Sequence, residues 1–579
     1  MRSVVSINSF IQYSRFRNTT NIGQKEISGV SNTSTTTENA QQTSVLSKET
    51  TTPVAAAASS RCVRPRHTKL LQGFFLIWLD PKIDENKKDF QDSITEFRNI
   101  VLTVELFTDV DECVAYTRSM KKDTIILIIS GTLGENIIPD IHDMTQIHTI
   151  LVFCRNIVRH KEWITKWPKV QYVSASIKDV CESLKEVVRQ RDHDAVSMSF
   201  VPKQTTRTMT ALECKNLDQL DSSHMYSILF KDIVLQINED DTKQIEKFMD
   251  YCRDKAVTDT QLSKFYNDYQ NHTAVWLYTK GSFLYSTLNN ALRTFDTETM
   301  LRMGFFIRKL HQQLERLYRE QSHIFEDEFT VYRGQRLSQE GFQHLCDTKN
   351  GLLSFNSFLS TSTNKDVALM FASNEYNSRN NNIYVLFIIT IDPVKASSSG
   401  IPFAFIENYS AFQQEEEVLF SMHAVFRIQN IYEPTENNGI CEVKLTLTDD
   451  NDPQLADLIP HMRFDFPNLS GWFRMSYSMI RIGHFDQAEM LFQELLKDAS
   501  SDDERTELNQ GMGTTNFFQG QYKEAVKYCE EGLKLKLKTV TESDPSMAPS
   551  YSNIGGVYRK LGDHSKALEF YKKIARYCR

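Results

Sequence analysis

The chain has 579 residues, 40% hydrophobic and 24% charged, which leaves room for about four domains with their own cores. Its longest apolar run, Ile383 to Ile391, is nine residues. A membrane helix needs about 20, so a transmembrane enzyme is excluded. The net charge of −8, without long basic blocks, argues against a nucleic-acid partner, and ten cysteines without CxxC spacing predict buried thiols in a reducing, cytoplasmic setting.

From Arg17 to Gly73 there is no aromatic residue, and Ser, Thr, Asn, Gln and Ala dominate. Such a stretch buries too little apolar area to offset its ordering entropy, so residues 1–68 read as a disordered tail. Arg2, Arg15 and Arg17, with no acid before Glu26, also suit an organelle-targeting segment, but a plain tail is preferred. Residues 69–195 alternate strand and helix. Phe74–Leu79, Ile125–Ile129, Ile150–Cys154 and Val170–Val173 are continuous apolar runs, with helical patterns at Val110–Met120 and Ile177–Arg189. That combination predicts a parallel α/β sheet. The layout resembles a response-receiver domain, but Ser130-Gly131 stand where a receiver's phosphorylated Asp is expected, and no phosphate-cradling glycine motif is present. A non-catalytic interaction domain is therefore expected.

Residues 200–450 change character: helices first, then strands, an α+β unit. Met303, Phe306, Leu310, Leu314 and Leu317 fall on one helical face. Strands are predicted at Phe329–Arg333, Phe355–Thr361, Ile383–Ile391, Glu417–Phe420, Ala424–Ile431 and Cys441–Leu447. Three stretches there carry chemistry. Phe329, Val331 and Arg333 share one side of a strand, which sets Arg333 beside the core, where its fork could bond an anion such as a diphosphate. Alone it reads as a strand-end Arg reaching to water. Phe358, Ser360 and Ser362 share a face, and Thr363 or Asn364 could cap a helix starting near Lys365. Glu415 and Glu417 lie two apart, so an extended chain points both carboxylates one way, immediately before an apolar strand. Acid runs are usually solvated loop ends, yet two carboxylates on a rigid face can hold a cation or stabilise an oxocarbenium-like centre.

In this order Arg333, Ser360-Thr361-Ser362 and Glu415-x-Glu417 resemble the arginine-type (R-S-E) mono-ADP-ribosyltransferases. Ala274–Lys280, Phe283–Tyr285, Asn290–Arg293, Phe305–Arg308 and Val367–Ala372 resemble the family's flanking segments, so about 240 of the 579 residues are covered. The resemblance implies NAD as substrate and no metal. It implies that Arg333 holds the NAD diphosphate and ribose side and that Gly334 offers its backbone to the nicotinamide amide. Ser360 would hold the catalytic carboxylate, Glu417 would bind the ribose and stabilise the oxocarbenium ion, and Glu415 would engage the incoming guanidinium. Exposed arginines of proteins are then the expected acceptors. Tyr409 and Phe412, just upstream, read equally as a substrate surface or as loop anchors. Two alternatives stand beside it: an NAD glycohydrolase, which shares Arg333, Ser360 and Glu417 and has water as the acceptor, and an inactive scaffold whose work is done by C-terminal repeats.

Residues 460–579 repeat. Gly483–Ala488, Gly520–Ala525 and Gly562–Ala567 recur at intervals of 37 and 42 residues, each between two helical patterns. The pattern resembles tetratricopeptide repeats, which implies an all-α solenoid and a peptide or protein ligand. Three repeats are near the minimum for stability, so the array is expected to be marginal or to pack on its neighbour.

Overall fold

In the computed structural model the described residues are 71–575, less 85, 121–123, 204–221, 238–239, 281–282, 373–382, 413, 435–438, 450–451, 453 and 455–470. The expected tail at 1–68 lies outside them. The first unit strings β1 (Phe74–Leu79), α1 (Lys88–Ile100), β2 (Val104–Phe107), α2 (Val110–Ser119), β3 (Thr124–Ser130), α3 (Gly131–Ile141), β4 (Ile147–Phe153), α4 (Ile157–Ile164), β5 (Val170–Ser174) and α5 (Ile177–Asp194). Its five strands are parallel in the order β2-β1-β3-β4-β5. Alternate residues of β1 enter opposite cores: Phe74, Leu76 and Trp78 face one layer, Phe75, Ile77 and Leu79 the other. This double burial explains why the strands read as unbroken apolar runs.

The second unit begins with strand β6 (Met198–Val201). Helices α6 (Ser222–Gln236), α7 (Asp241–Asp254), α8 (Asp259–Asn271), α9 (Ala274–Thr279), α10 (Phe283–Thr294) and α11 (Thr297–Glu320) follow. Thr258 and Gln261 close a capping box at the start of α8, and the Thr273 side chain caps α9. The strand-rich half holds β7 (Phe329–Leu337), α12 (Gln339–Asp347), β8 (Leu352–Phe355), β9 (Leu359–Ser362), α13 (Lys365–Ala372), β10 (Ile383–Ile391), α14 (Pro393–Ser398), β11 (Phe403–Phe405), β12 (Glu417–Phe420), β13 (Ala424–Tyr432) and β14 (Ile440–Leu447). They form a nine-stranded mixed sheet in the order β11-β12-β9-β7-β10-β14-β13-β8-β6. The sheet takes its β6 edge from just before the expected boundary at 200. Leu419 and Phe358 join the core shared with the helices, while Val418, Phe420 and Leu359 enter the core on the sheet's other face.

The last unit is helical: α15 (Gly471–Ile482), α16 (Phe485–Asp498), α17 (Asp502–Phe518), α18 (Tyr522–Lys536), α19 (Ala548–Leu561) and α20 (His564–Ala575). The three motif glycines Gly483, Gly520 and Gly562 all have positive φ, of 87°, 81° and 83°, which is why glycine recurs at each intra-repeat turn. The first repeat is not separate from its neighbour. Trp472, Met475, Met479 and Phe492 belong to the same buried cluster as Met303, Phe306 and Leu310 of α11. Arg302 of α11 pairs with Glu494 at 2.8 Å and with Asp498 at 3.3 Å.

Among the described residues no helix is long and apolar enough to cross a membrane, and no group of three or more His, Cys, Asp or Glu could hold a metal ion.

Candidate active site

The sheet order brings β7, β9 and β12 side by side, although 27 and 57 residues of chain separate Arg333 from Ser360 and Ser360 from Glu417. On the β12–β9 ladder Glu417 lies opposite Ser362, so Ser360 is its diagonal neighbour on the same face. The Ser360 hydroxyl donates to Glu417 Oε1 at 2.5 Å. Arg333 is 2% exposed. Its Nη1 donates to the Ser360 carbonyl at 2.8 Å, its Nη2 to the His193 carbonyl at 2.7 Å and its Nε to Gln335 Oε1 at 3.2 Å. A guanidinium has five N–H groups, so about two remain for a ligand. Arg333, Ser360 and Glu417, with His193, Gly334, Phe371 and Glu415, line one open cavity.

Glu415 and Glu417 do come together, but not by strand alternation. Glu416 between them has φ of +44°, in the left-handed region, and β12 begins only at Glu417. A turn, not an extended chain, presents Glu415. The hydroxyl-rich end of β9 and the residue after it clamp that turn: Ser362 donates to the Glu415 carbonyl at 2.7 Å, the Thr363 amide to the Glu416 carbonyl at 3.1 Å, and the Thr363 hydroxyl to Glu416 Oε2 at 3.0 Å. Of the two candidate caps for the helix at Lys365, Asn364 does the capping, accepting from the Asp366 amide at 3.0 Å.

Glu417 is 6% exposed, and burial pushes its carboxyl up to about 7. The Ser360 hydrogen bond opposes this, the Glu415 charge adds to it, and Arg189 and Arg333 oppose it further. Chemistry that needs the Glu417 carboxylate therefore loses about tenfold in kcat/KM per pH unit below about 7 and levels off above it. Ser360→Ala removes a bond to the charged form, so the same pH profile should move to higher pH.

Packing requires glycine at position 334. A Cβ there would sit 1.9 Å from the Ala368 carbonyl oxygen and 2.8 Å from the Ala372 amide nitrogen, both backbone atoms of α13. The glycine thus lets α13 lie directly on β7. Gly334→Ala should cost about 1–3 kcal/mol of unfolding free energy, measurable by denaturant titration.

No local pattern in the residues indicates that the far end of α5 closes the site. His193 stacks on Phe371 with ring centroids 4.2 Å apart, and its Nδ1 is buried without a hydrogen-bond partner. Burial and the neighbouring Arg333 hold its imidazole well below the usual range, hence neutral. Asp194 accepts from Arg336 Nε at 3.0 Å, and Arg189 Nη2 donates to Glu415 Oε1. Tyr278, 1% exposed, donates to the Phe358 carbonyl at 3.3 Å and supports the entry to β9 from beneath. Tyr409 packs partly buried against the helical core, whereas Phe412 is 40% exposed beside Arg189.

Residues 237–451 match the family model described as NAD:arginine ADP-ribosyltransferase, and residues 504–579 match a tetratricopeptide-repeat model. No curated protein matches the chain. Among solved structures, the ADP-ribosyltransferase Vis toxin from Vibrio splendidus is 25% identical, over 38% of this chain and 92% of that chain, with a TM-score of 0.24. The ADP-ribosyltransferase HopU1 of Pseudomonas syringae pv. Tomato DC3000 is 19% identical over 39% and 96%, with a TM-score of 0.24. The tetratricopeptide domain of Arabidopsis FLU is 27% identical over 18% and 90%, with a TM-score of 0.17. The chain carries a domain of the ADP-ribosyltransferase family, whose substrate is NAD, together with tetratricopeptide repeats.

Proposed function

We propose that the chain transfers ADP-ribose from NAD to arginine side chains of proteins, with release of nicotinamide. One observation carries this reading: two carboxylates, Glu417 and Glu415, stand at one cavity, the first buried and held by Ser360, the second bonded to a guanidinium. In this reading the nicotinamide-ribose end of NAD enters the cavity beside Gly334 and Phe371. The Ser360-held carboxylate of Glu417 hydrogen-bonds the ribose and stabilises positive charge at its anomeric carbon as nicotinamide departs. Arg333 fixes the strand that carries Ser360 and gives its remaining N–H groups to the phosphate side. Glu415 receives the acceptor guanidinium and takes its proton. The buried, unpartnered His193 Nδ1 offers one further polar contact for a bound dinucleotide. The α/β unit and the repeats would present or recruit protein substrates and partners.

The test is incubation with labelled NAD, with and without agmatine as a simple guanidino acceptor. A labelled agmatine adduct, with nicotinamide release accelerated by agmatine, is the expected result. Nicotinamide release at an unchanged rate and without adduct would point to water as the acceptor.

A further inference from the structure

The N-terminal α/β unit places one of its own arginines on the acceptor carboxylate. Arg189 lies in α5, 226 residues before Glu415, and its Nη2 donates to Glu415 Oε1. The guanidinium carbon is 5.2 Å from the centroid of Phe371 and 4.7 Å from that of Phe412, so two rings flank it. The rest of the helix end is anchored independently. Gln190 donates to the Phe371 carbonyl at 3.1 Å, the His193 carbonyl accepts from Arg333, and Asp194 accepts from both the Arg336 amide and its guanidinium. Asp192 accepts from Ser286 of α10. This grip holds Arg189 in register with the site. Yet its side chain is 41% exposed, so it is neither sealed in nor needed as a buried core pair.

We propose that Arg189 is a modification site: a tethered acceptor that receives ADP-ribose from NAD bound in the same molecule. The proposal rests on the arginine-transferase reading above. In the step, the bond between the anomeric carbon of the nicotinamide ribose and the ring nitrogen breaks, and its electron pair leaves with neutral nicotinamide. An Arg189 Nη nitrogen forms the new bond to that carbon. The proton it loses passes to the Glu415 carboxylate and on to solvent through that residue's open edge. No oxidant or further reactant is needed. While unmodified, Arg189 competes with external acceptors for Glu415, since the two need the same carboxylate.

The full chain, incubated with labelled NAD alone, should label itself on Arg189, as mapped by mass spectrometry. The initial fraction labelled per unit time should stay constant over a tenfold range of protein concentration. R189K should lose at least tenfold of this label while keeping the parent's thermal unfolding midpoint, which shows that the variant is folded. Agmatine modified with Arg189 unmodified would overturn the proposal and leave the transferase reading standing. Labelling of Arg189 whose fractional rate rises with protein concentration would overturn the tethered route. Neither agmatine nor the chain labelled would overturn both readings.

Discussion

Replacing Glu417 by alanine lowers both ADP-ribosyl transfer and NAD hydrolysis by about 10²–10³-fold, with little change in the NAD concentration needed for half-maximal rate. The expectation follows from where the carboxylate sits. It is buried, fixed by Ser360 at 2.5 Å, and fully formed before any ligand arrives, so its effect falls on charge that develops as nicotinamide leaves. Loss of the charged group should not unfold the domain, because burial already disfavours that charge, as its carboxyl raised to about 7 attests. Glu417→Gln is the cleaner companion: it keeps the volume and a hydrogen-bond partner for Ser360 and removes only the charge. Transfer undiminished in both variants, measured as nicotinamide release and as labelled adduct, refutes the role given to Glu417.

Glu415→Gln separates the two acceptors. Transfer to agmatine should fall about 10–100-fold, because a charge-assisted bond to a guanidinium becomes a neutral one. Nicotinamide release to water should remain within about twofold, since Glu415 touches the acceptor and not the ribose in this scheme. The variant also removes a like charge beside Glu417, so the acid limb of the hydrolysis profile should shift to lower pH. Equal losses in transfer and hydrolysis would place Glu415 in the bond-breaking step instead.

Much of the scaffold was legible in the residues. Strands β1 and β10 have the bounds expected of them, because long apolar runs leave few alternatives. Short elements were not: Val104–Phe107, Met198–Val201 and Phe403–Phe405 are too brief to show a period. The run Phe355–Thr361 looked like one strand but is two. Asn356 turns aside between them, its amide donating to the Ser197 carbonyl at 2.9 Å. At the site, residue types and chain order named Arg333, Ser360, Glu415 and Glu417, but adjacency came from sheet topology, which no local pattern encodes. The two acids were expected to align through an extended backbone, whereas a left-handed Glu416, pinned by Thr363 and Asn364, does the aligning. The helix expected over Ile177–Arg189 runs on to Asp194. That extra turn bonds Arg333, Gln335 and Arg336, a contact between distant parts of the chain that periodicity cannot reveal.

The repeats grow out of the same buried cluster that supports α11, and Lys247 joins Arg302 in gripping Asp498 at the seam. The array is thus bolted to the frame rather than swung from it. A protein clasped along its inner curve would be carried at one bearing and one distance from the acids, as a workpiece is set in a vice. Reach would then select which of that protein's side chains is offered, and shortening the array by a repeat would redirect the choice without touching the pocket.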